Sequence, residues 1–339
     1  MNPKTYVIVY LGIILLLYRG AIEVDNGRLT QGMVIALYNY MSQILVELVK
    51  LANLIISITK SVACGNRIQA VLDITPSMED GSVSSGDENS EYAVEMENVS
   101  FKYASASAAS IEDINLKIKK GETLGVIGST GCGKTTLISL IPRFYDCTAG
   151  KVKINGVDVK DYSQEALRES VAVVMQKTVL FNGSIRDNIR WGNENATDAQ
   201  MRHACELACA DEFINSFEDG YETYIEQGGT NVSGGQKQRL SIARAVVKRP
   251  DLYIFDDSFS ALDYKTDATL RRRLKEVTQD ATVLIVAQRV GTIMDADQII
   301  VLDKGEIVGR GRHEELMESN EIYREIANSQ LNQKSLTED

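Results

Sequence analysis

The stretch Gly128-Ser-Thr-Gly-Cys-Gly-Lys134-Thr135 has glycine, lysine and hydroxyl residues at the spacing of a P-loop. It lies between a predicted buried strand at 122–127 and a predicted helix at 135–141, which is the context that this motif requires. Glycines let backbone N–H groups surround phosphates, the lysine adds positive charge, and the threonine hydroxyl reaches Mg²⁺. The sequence therefore predicts a triphosphate site formed by Gly128, Ser129, Thr130, Gly131, Cys132, Gly133, Lys134, Thr135 and Thr136.

A second part of this site is predicted at Leu252-Tyr-Ile-Phe-Asp256, where an apolar run ends in an acid. Such a run is typical of a buried strand that delivers a carboxylate to the Mg²⁺ shell at its carboxyl end. By itself the pattern is common. After a P-loop, it makes Asp256 the expected partner of Thr135.

The chain from residue 93 onward alternates short apolar stretches with helical ones, which predicts an α/β domain. Strands are predicted at 92–103, 122–127, 171–175, 252–255, 282–287 and 298–302, with a hairpin turn at Lys304 and Gly305. Helices are predicted at 135–141, 197–208, 234–247 and 265–278.

The N-terminal part has two apolar runs, 6–17 and 33–58, separated by a polar loop at 19–28. This pattern predicts a helical hairpin in a membrane. The second run is long enough to span, whereas the first reaches only about 20 Å and is too short to span comfortably. A cleavable signal peptide is the alternative for the first run, but no clear small-residue cleavage site follows it.

Two charged residues, Glu47 and Lys50, interrupt the second run. They are expected either to face a protein interior or a water-filled cavity, or to lie near the membrane surface and reach water. Residues 75–92 then combine glycine, serine and acidic residues without Lys or Arg, which predicts a flexible acidic linker.

Composition excludes two other classes of function. The 339 residues carry a net charge of −11, and no basic patch stands out, so nucleic acid is not an expected partner. The five cysteines form no C-x-x-C pair, and the chain has only two histidines, so a zinc site is not expected. The cysteines are expected to be reduced, cytosolic thiols.

The segment Val232-Ser-Gly-Gly-Gln236-Lys-Gln-Arg239 makes the resemblance to ABC transporter nucleotide-binding domains specific. It resembles the family's signature motif, with Val232 where Leu is usual. A Ser-Gly-Gly turn that opens a helix presents N–H groups and a hydroxyl to an anion. In the family, that anion is the γ-phosphate of ATP bound to the other subunit, so the resemblance assigns Ser233, Gly234, Gly235 and Gln236 to a partner's site.

Further segments resemble the family's other motifs in the expected order. Tyr103 resembles the aromatic residue that stacks on adenine, although an ordinary strand tyrosine is the alternative. Gln176 resembles the glutamine that contacts Mg²⁺, so the implied metal-binding set is Thr135, Gln176 and Asp256. The loop that ends at Asp263 resembles the one that pairs two subunits, and residues 226–231 lie where exporters contact their coupling helices.

Two catalytic positions depart from the family's pattern. Asp257 stands where active members have glutamate, and Gln288 replaces the switch histidine. A shorter carboxylate should lie more than about 1 Å too far from the attacking water, which can lower the rate on the order of a hundredfold. The sequence therefore predicts a site that binds ATP but hydrolyses it poorly, in a heterodimer whose partner has a competent site.

The resemblance implies an α/β P-loop NTPase fold with antiparallel β and α-helical subdomains, preceded by a transmembrane hairpin. The expected domains are residues 1–72, the partial fifth and entire sixth helix of an exporter's membrane domain; 73–92, a linker; and 93–339, the nucleotide-binding domain. The resemblance implies four preceding membrane helices, so we expect either a truncated gene product or a chain whose remaining membrane helices lie on another polypeptide.

The expected function is an ATP-binding and permease subunit of an exporter that couples ATP binding and hydrolysis to transport. ATP and Mg²⁺ are the implied cofactors. The implied partners are a second half-transporter, the bilayer and a transported small molecule, lipid or peptide. The protein is expected in the cell membrane as a multi-pass protein with its ATP site in the cytoplasm. The alternatives are a non-transporting ATP-binding fragment and a soluble ABC ATPase.

Overall fold

The computed structural model describes residues 3–278 and 281–335. The chain forms two compact units, one up to Ser77 and one from Met78 onward. The domain limits predicted at residues 72 and 92 stay predictions.

The first unit consists of two helices, α1 (Pro3–Asp25) and α2 (Gln31–Leu72). They approach closely at Gly20, where an added Cβ would lie 2.7 Å from Cγ1 of Val34. Both helices are long and apolar enough to cross a membrane, with mean hydropathies of 2.0 and 1.6. The predicted helical hairpin is therefore confirmed.

The loop between these helices is shorter than predicted, and the prediction of a short first arm is wrong. Helix α1 continues through the polar residues to Asp25, so it has 23 residues and is about 34 Å long. It ends where Gly27 adopts a φ of 72° and Arg28 donates its N–H to the Glu23 carbonyl at 2.9 Å. Polar side chains alone do not disfavour helical backbone, so α1 continues through them. The left-handed glycine is what ends the helix.

The two charges within α2 are paired with each other. Lys50 Nζ donates to Glu47 Oε1 at 2.8 Å, across three residues of one helix face. An ion pair lowers the cost of placing either group in an apolar environment relative to a lone charge. The choice between an interior-facing and a surface position stays open.

The second unit is the α/β domain. Its strands are β1 (Tyr92–Phe101), β2 (Ile111–Lys119), β3 (Thr123–Gly128), β4 (Ala149–Ile154), β5 (Val157–Asp158), β6 (Val171–Val174), β7 (Gly183–Ser184), β8 (Tyr224–Ile225), β9 (Leu252–Asp256), β10 (Thr282–Val286), β11 (Gln298–Asp303) and β12 (Glu306–Gly311). Its helices are α3 (Lys134–Leu140), α4 (Gln164–Ser170), α5 (Ile185–Arg190), α6 (Asp198–Leu207), α7 (Asp211–Ser216), α8 (Gly234–Lys248), α9 (Tyr264–Val277), α10 (Val290–Ile293), α11 (His313–Ser319) and α12 (Glu321–Ser335). Every predicted strand and helix of this unit is present, with ends within two residues of those predicted.

The central sheet has the strand order β12-β11-β3-β10-β9-β6, parallel except for the edge strand β12. Alternate residues of β9 enter two different apolar clusters, Leu252 and Ile254 in one, Tyr253 and Phe255 in the other. The sheet is thus buried on both faces, which explains why its strands are continuous apolar runs.

Two smaller parts flank this sheet. An antiparallel sheet has the order β2-β1-β4-β5, and its buried residues share a cluster with the P-loop helix α3. Helices α5, α6 and α7 pack with α8 around the cluster that holds Tyr253 and Phe255 of β9, and this cluster also contains Ile189, Cys205, Ile214 and Leu240. These are the antiparallel and helical subdomains that the resemblance implied, so the predicted fold class is confirmed.

Residues 80–90 form a strap along the α/β domain, contrary to the expectation of a flexible linker. Gly81 N–H donates to the Tyr162 carbonyl at 3.1 Å, and the Ser163 N–H donates to the Val83 carbonyl at 2.9 Å. Lys120 Nζ also donates to the carbonyls of Asp87 and Glu88 at 3.2 and 2.9 Å. The strap's glycine, serine and acidic residues predicted flexibility, but backbone hydrogen bonds to another segment fix this stretch.

A Gly81→Ala variant is expected to lower the free energy of unfolding by about 1–3 kcal/mol, the usual cost of overpacking. Its Cβ would lie 2.1 Å from the Asp161 carbonyl oxygen, so the strap or its partner would have to move. Thermal unfolding of the full chain measures this effect. Gly291→Ala, with nothing within 4 Å of the new Cβ, is the matched control. Equal unfolding temperatures for the two variants would contradict a docked strap.

Candidate functional site

The P-loop connects the carboxyl end of β3 to helix α3. Gly133 has a φ of 104°, and a Cβ there would lie 2.6 Å from the Ser110 carbonyl oxygen, so only glycine fits. Lys134 Nζ donates to the carbonyls of Gly128 and Ser129, each at 2.8 Å. The Lys134 side chain therefore lies over its own loop. Its positive charge is placed where it would face a phosphate bound in that loop.

Asp256, the last residue of β9, meets Thr135 at the amino end of α3, as the sequence predicted. The Thr135 hydroxyl donates to Asp256 Oδ2 at 3.0 Å. Burial raises the pKa of Asp256, and the nearby Asp257 raises it further, while the Thr135 hydrogen bond and the Lys134 charge lower it. A buried carboxylate beside a hydroxyl is a hard-oxygen set of the kind that Mg²⁺ prefers.

Asp257 lies between two glutamines, Gln176 and Gln288. Its Oδ2 accepts hydrogen bonds from Gln176 Nε2 at 3.0 Å and from Gln288 Nε2 at 2.6 Å. Its backbone is left-handed, with a φ of 47°, and its N–H donates to the Val286 carbonyl at 2.9 Å. Burial raises the pKa of Asp257, while its hydrogen-bond partners lower it. One carboxylate oxygen is therefore shared by two neutral amides.

Strand order explains why these residues meet. Val286 of β10 pairs with Val126 of β3 and with Asp256 of β9, and Val174 of β6 pairs with Phe255. Four parallel strands thus end side by side. Asp256 is the last residue of β9, and the P-loop, Gln288, Asp257 and Gln176 follow the strand ends. Ligands of open parallel sheets bind at this edge.

These groups line one cavity of about 460 Å³. Its lining includes the predicted residues Thr130, Gly131, Gly133, Lys134, Thr135, Thr136, Gln176, Asp256, Asp257 and Gln288. The volume lies within the range of ordinary small-ligand sites. No group of three or more His, Cys, Asp or Glu with metal-binding geometry occurs in the part of the chain that the structure describes. Mg²⁺ bound with a nucleotide needs only one or two carboxylates, since phosphates supply other ligands.

Tyr103 lies beside this cavity but does not line it. Its hydroxyl is 3.2 Å from Thr136 Oγ1, and its ring makes edge contacts with Phe101 and Tyr145 at centroid distances of 4.8 and 5.3 Å. Stacking on adenine stays a prediction for this half-buried ring.

The signature residues lie at the start of α8, and the described lining of the cavity does not include them. Ser233 Oγ accepts the Gln236 N–H at 3.3 Å, and Gln236 Oε1 accepts the Ser233 N–H at 2.8 Å, which is a capping box. A Cβ at Gly235 would lie 3.4 Å from the Ala261 carbonyl oxygen. The signature therefore adjoins the loop that ends at Asp263, whose Oδ1 caps α9 through the Thr266 N–H at 3.0 Å.

Sequence reasoning missed the structural roles of two serines that follow the aspartates, although it assigned Ser260 to the loop that ends at Asp263. The buried Ser258 hydroxyl donates to the Val174 carbonyl at 2.7 Å and so joins the ends of β9 and β6. The Ser260 hydroxyl donates to the Asp257 carbonyl at 2.8 Å. Lys304 and Ser110, which also line the cavity, were missed as well. The two serines closely follow the acidic pair, so they were a local signal in the sequence. Lys304 and Ser110 are far from that pair in sequence and gave no such signal.

Comparisons with known proteins agree with this geometry. Residues 111–260 match the ABC transporter family. An uncharacterised ABC transporter ATP-binding protein of Mycobacterium bovis is 38% identical over 340 residues, covering 97% of this chain and 57% of that protein. An ATP-dependent lipid A-core flippase of Desulfotalea psychrophila is 36% identical over 315 residues, covering 93% and 55%.

Among solved structures, a bacterial Atm1-family ABC exporter with ATP bound matches 95% of this chain and 56% of its own, with a TM-score of 0.76 and 29% identity. The chain therefore spans about half the length of the relatives that it matches.

Proposed function

Because this chain carries an ABC transporter ATP-binding domain, we propose that it is an ATP-binding and permease subunit of an exporter. Its two candidate spans and its similarity to an exporter structure over 95% of the chain support this proposal. In the proposed mechanism, ATP binding brings two such domains together head to tail. This closure drives the membrane helices between inward- and outward-facing states.

In the proposed ATP site, P-loop N–H groups and Lys134 hold the phosphates. Thr135, Gln176 and Asp256 would hold Mg²⁺, which neutralises phosphate charge when bound. Tyr103 would stack on adenine. Asp257 stands where a base would accept a proton from the water that attacks the γ-phosphoryl group, and Gln288 stands beside it.

The hydrogen bonds to Asp257 carry the proposal that this site hydrolyses ATP poorly. Both Gln176 and Gln288 donate to the same oxygen, at 3.0 and 2.6 Å. An amide at position 288 cannot change its charge near neutral pH, as a histidine can. A short carboxylate held by two amides is poorly placed to take a proton from water.

The same reasoning favours a heterodimer. The signature at Ser233–Gln236 is intact, opens a 15-residue helix and lies outside its own chain's cavity. It would complete the ATP site of a second half-transporter with a competent catalytic pair, and Asp263 would lie in the loop that pairs the subunits. A homodimer would contain two impaired sites.

We place the protein in the cell membrane as a multi-pass protein with its ATP site in the cytoplasm, and the two helices of the first unit support the membrane part of this proposal. Most large apolar side chains of α1 and α2 are exposed, as expected for helices that contact lipid or further helices. This disfavours a soluble ATPase. One relative is named as a lipid A-core flippase, which makes a lipid one candidate cargo beside other small molecules and peptides.

The test uses the full chain in detergent or nanodiscs. MgATP binding is measured at equilibrium, and hydrolysis is measured at steady state. We expect binding with turnover well below about 1 s⁻¹, the low end of ordinary enzyme rates. Turnover at or above that rate from the chain alone would contradict an impaired site, and absence of MgATP binding would contradict an ATP-binding subunit.

A further inference from the structure

The segment after β10 is held from both sides. On the cavity side, the Gln288 side chain donates to Asp257 Oδ2 at 2.6 Å. On the other side, Gln330 of α12 contacts the backbone of the same segment, although it lies 42 residues further along the chain. A residue of the C-terminal helix is therefore linked through one residue to the catalytic carboxylate position.

Gln330 makes two hydrogen bonds with complementary atoms of one side-chain amide. Its Nε2 donates to the Gln288 carbonyl at 2.7 Å, and its Oε1 accepts the Val290 N–H at 2.9 Å. Val290 is the first residue of α10, whose preceding residue, Arg289, makes no side-chain cap. Gln330 thus caps the start of α10, which the preceding residue Arg289 does not cap.

Helix α12 packs against the domain through apolar residues on the same helix face as Gln330. Tyr323 and Ala327 are buried in one apolar cluster with Ala287, Val290 and Ile293. The Tyr323 hydroxyl is also 2.7 Å from His313 Nδ1, which joins α12 to α11. Residues 323, 327 and 330 lie on one helix face, so this packing determines where Gln330 points.

The far end of the segment is fixed too. Arg271 Nη1 donates to the Gly291 carbonyl at 2.8 Å, and Arg271 is itself held by two hydrogen bonds to the buried Asp267, at 3.0 and 3.1 Å. With the backbone held at residues 288, 290 and 291, the Gln288 side chain has a defined origin from which to reach Asp257.

We propose that Gln330 is a positioning residue, which fixes the backbone of residues 288–290 so that the Gln288 side chain faces the γ-phosphate end of the cavity. The C-terminal helix pair is then part of the nucleotide response. The expected effect on nucleotide binding rests on the proposed function. The hydrogen bonds by which Gln330 holds residues 288 and 290 do not depend on it.

Hydrogen exchange of the nucleotide-free full chain tests the hold. In Gln330→Ala, the Val290 amide should exchange at least about tenfold faster, because it loses its acceptor and the segment loses a second bond. Asn328→Ala, an exposed amide side chain on the same helix, should leave exchange unchanged. Gln330→Glu keeps an acceptor for Val290 but not the donor to Gln288, so it should preserve Val290 protection.

Affinities for MgATP and MgADP test the consequence. Gln330→Ala should lower the preference for ATP over ADP at least threefold, since only ATP has the phosphate that Gln288 faces, and should leave ADP affinity unchanged. A merely structural role would weaken both affinities alike. Unchanged exchange at Val290, or an unchanged ATP preference, would overturn the proposal. If the unaltered chain binds neither nucleotide, the proposed function fails, and the exchange result alone decides whether Gln330 holds the segment.

Discussion

A chain that carries both Asp257→Glu and Gln288→His is expected to hydrolyse ATP about a hundredfold faster than the unaltered chain, because a reacting group misplaced by about 1 Å can cost that much. The extra methylene moves the carboxylate toward the water, and an imidazole replaces the amide that now lies 2.6 Å from Asp257 Oδ2. Histidine also brings a group that titrates near neutral pH. Steady-state phosphate release by the full chain, with saturating MgATP, measures the change.

Three controls show whether the gain comes from this site. Each single substitution should recover only part of the rate, because the two side chains contact each other and their effects should not add. Asp257→Asn should change the already low rate little, since a poorly placed base contributes little that neutralisation could remove. Lys134→Ala in the double variant should remove the gain. A double variant with the rate of the unaltered chain would show that the two substitutions do not limit hydrolysis.

Lys134→Ala alone is expected to weaken MgATP binding at least about 30-fold, the usual consequence of removing one partner of a desolvated charge pair. The side chain reaches two loop carbonyls at 2.8 Å, so its ammonium group is already positioned. Equilibrium titration with a fluorescent ATP analogue, followed by competition with unlabelled ATP, measures the affinity.

The matched control is Lys151→Ala, which removes the same charge from an exposed position on β4. It should leave MgATP affinity within about twofold, since exposed charges contribute little at a distance. Thermal unfolding of both variants should match that of the unaltered chain. Equal affinities for the Lys134 and Lys151 variants would show that ATP does not bind at the P-loop.

The sequence by itself determined the local parts of the site. A glycine-rich loop, an acid that ends an apolar run and a serine that opens a helix each depend on the backbone preferences of a few neighbouring residues. For that reason the P-loop, Asp256 and the helix start at Ser233 could be located before the fold was known. The two departures, Asp257 and Gln288, were equally visible, because they are identities at positions that motifs define.

Local patterns failed where a boundary or a contact depends on distant residues. The polar residues after Arg19 predicted a loop, but α1 continues to Asp25, just before Gly27 adopts its left-handed conformation. The acidic stretch predicted a flexible linker, but backbone groups near residue 162 pair with part of it. Composition indicates how readily a stretch is solvated by water. Hydrogen bonds to other segments decide whether the backbone of such a stretch is fixed.

Tertiary structure alone decided which groups meet. The order β3-β10-β9-β6 brings the P-loop, Gln288, Asp257 and Gln176 to one edge, although 160 residues separate Gly128 from Gln288. The same packing brings Gln330 against the backbone of Gln288. Sequence spacing carries no record of such contacts, because strand register and helix packing result from burying apolar faces shared by the whole domain.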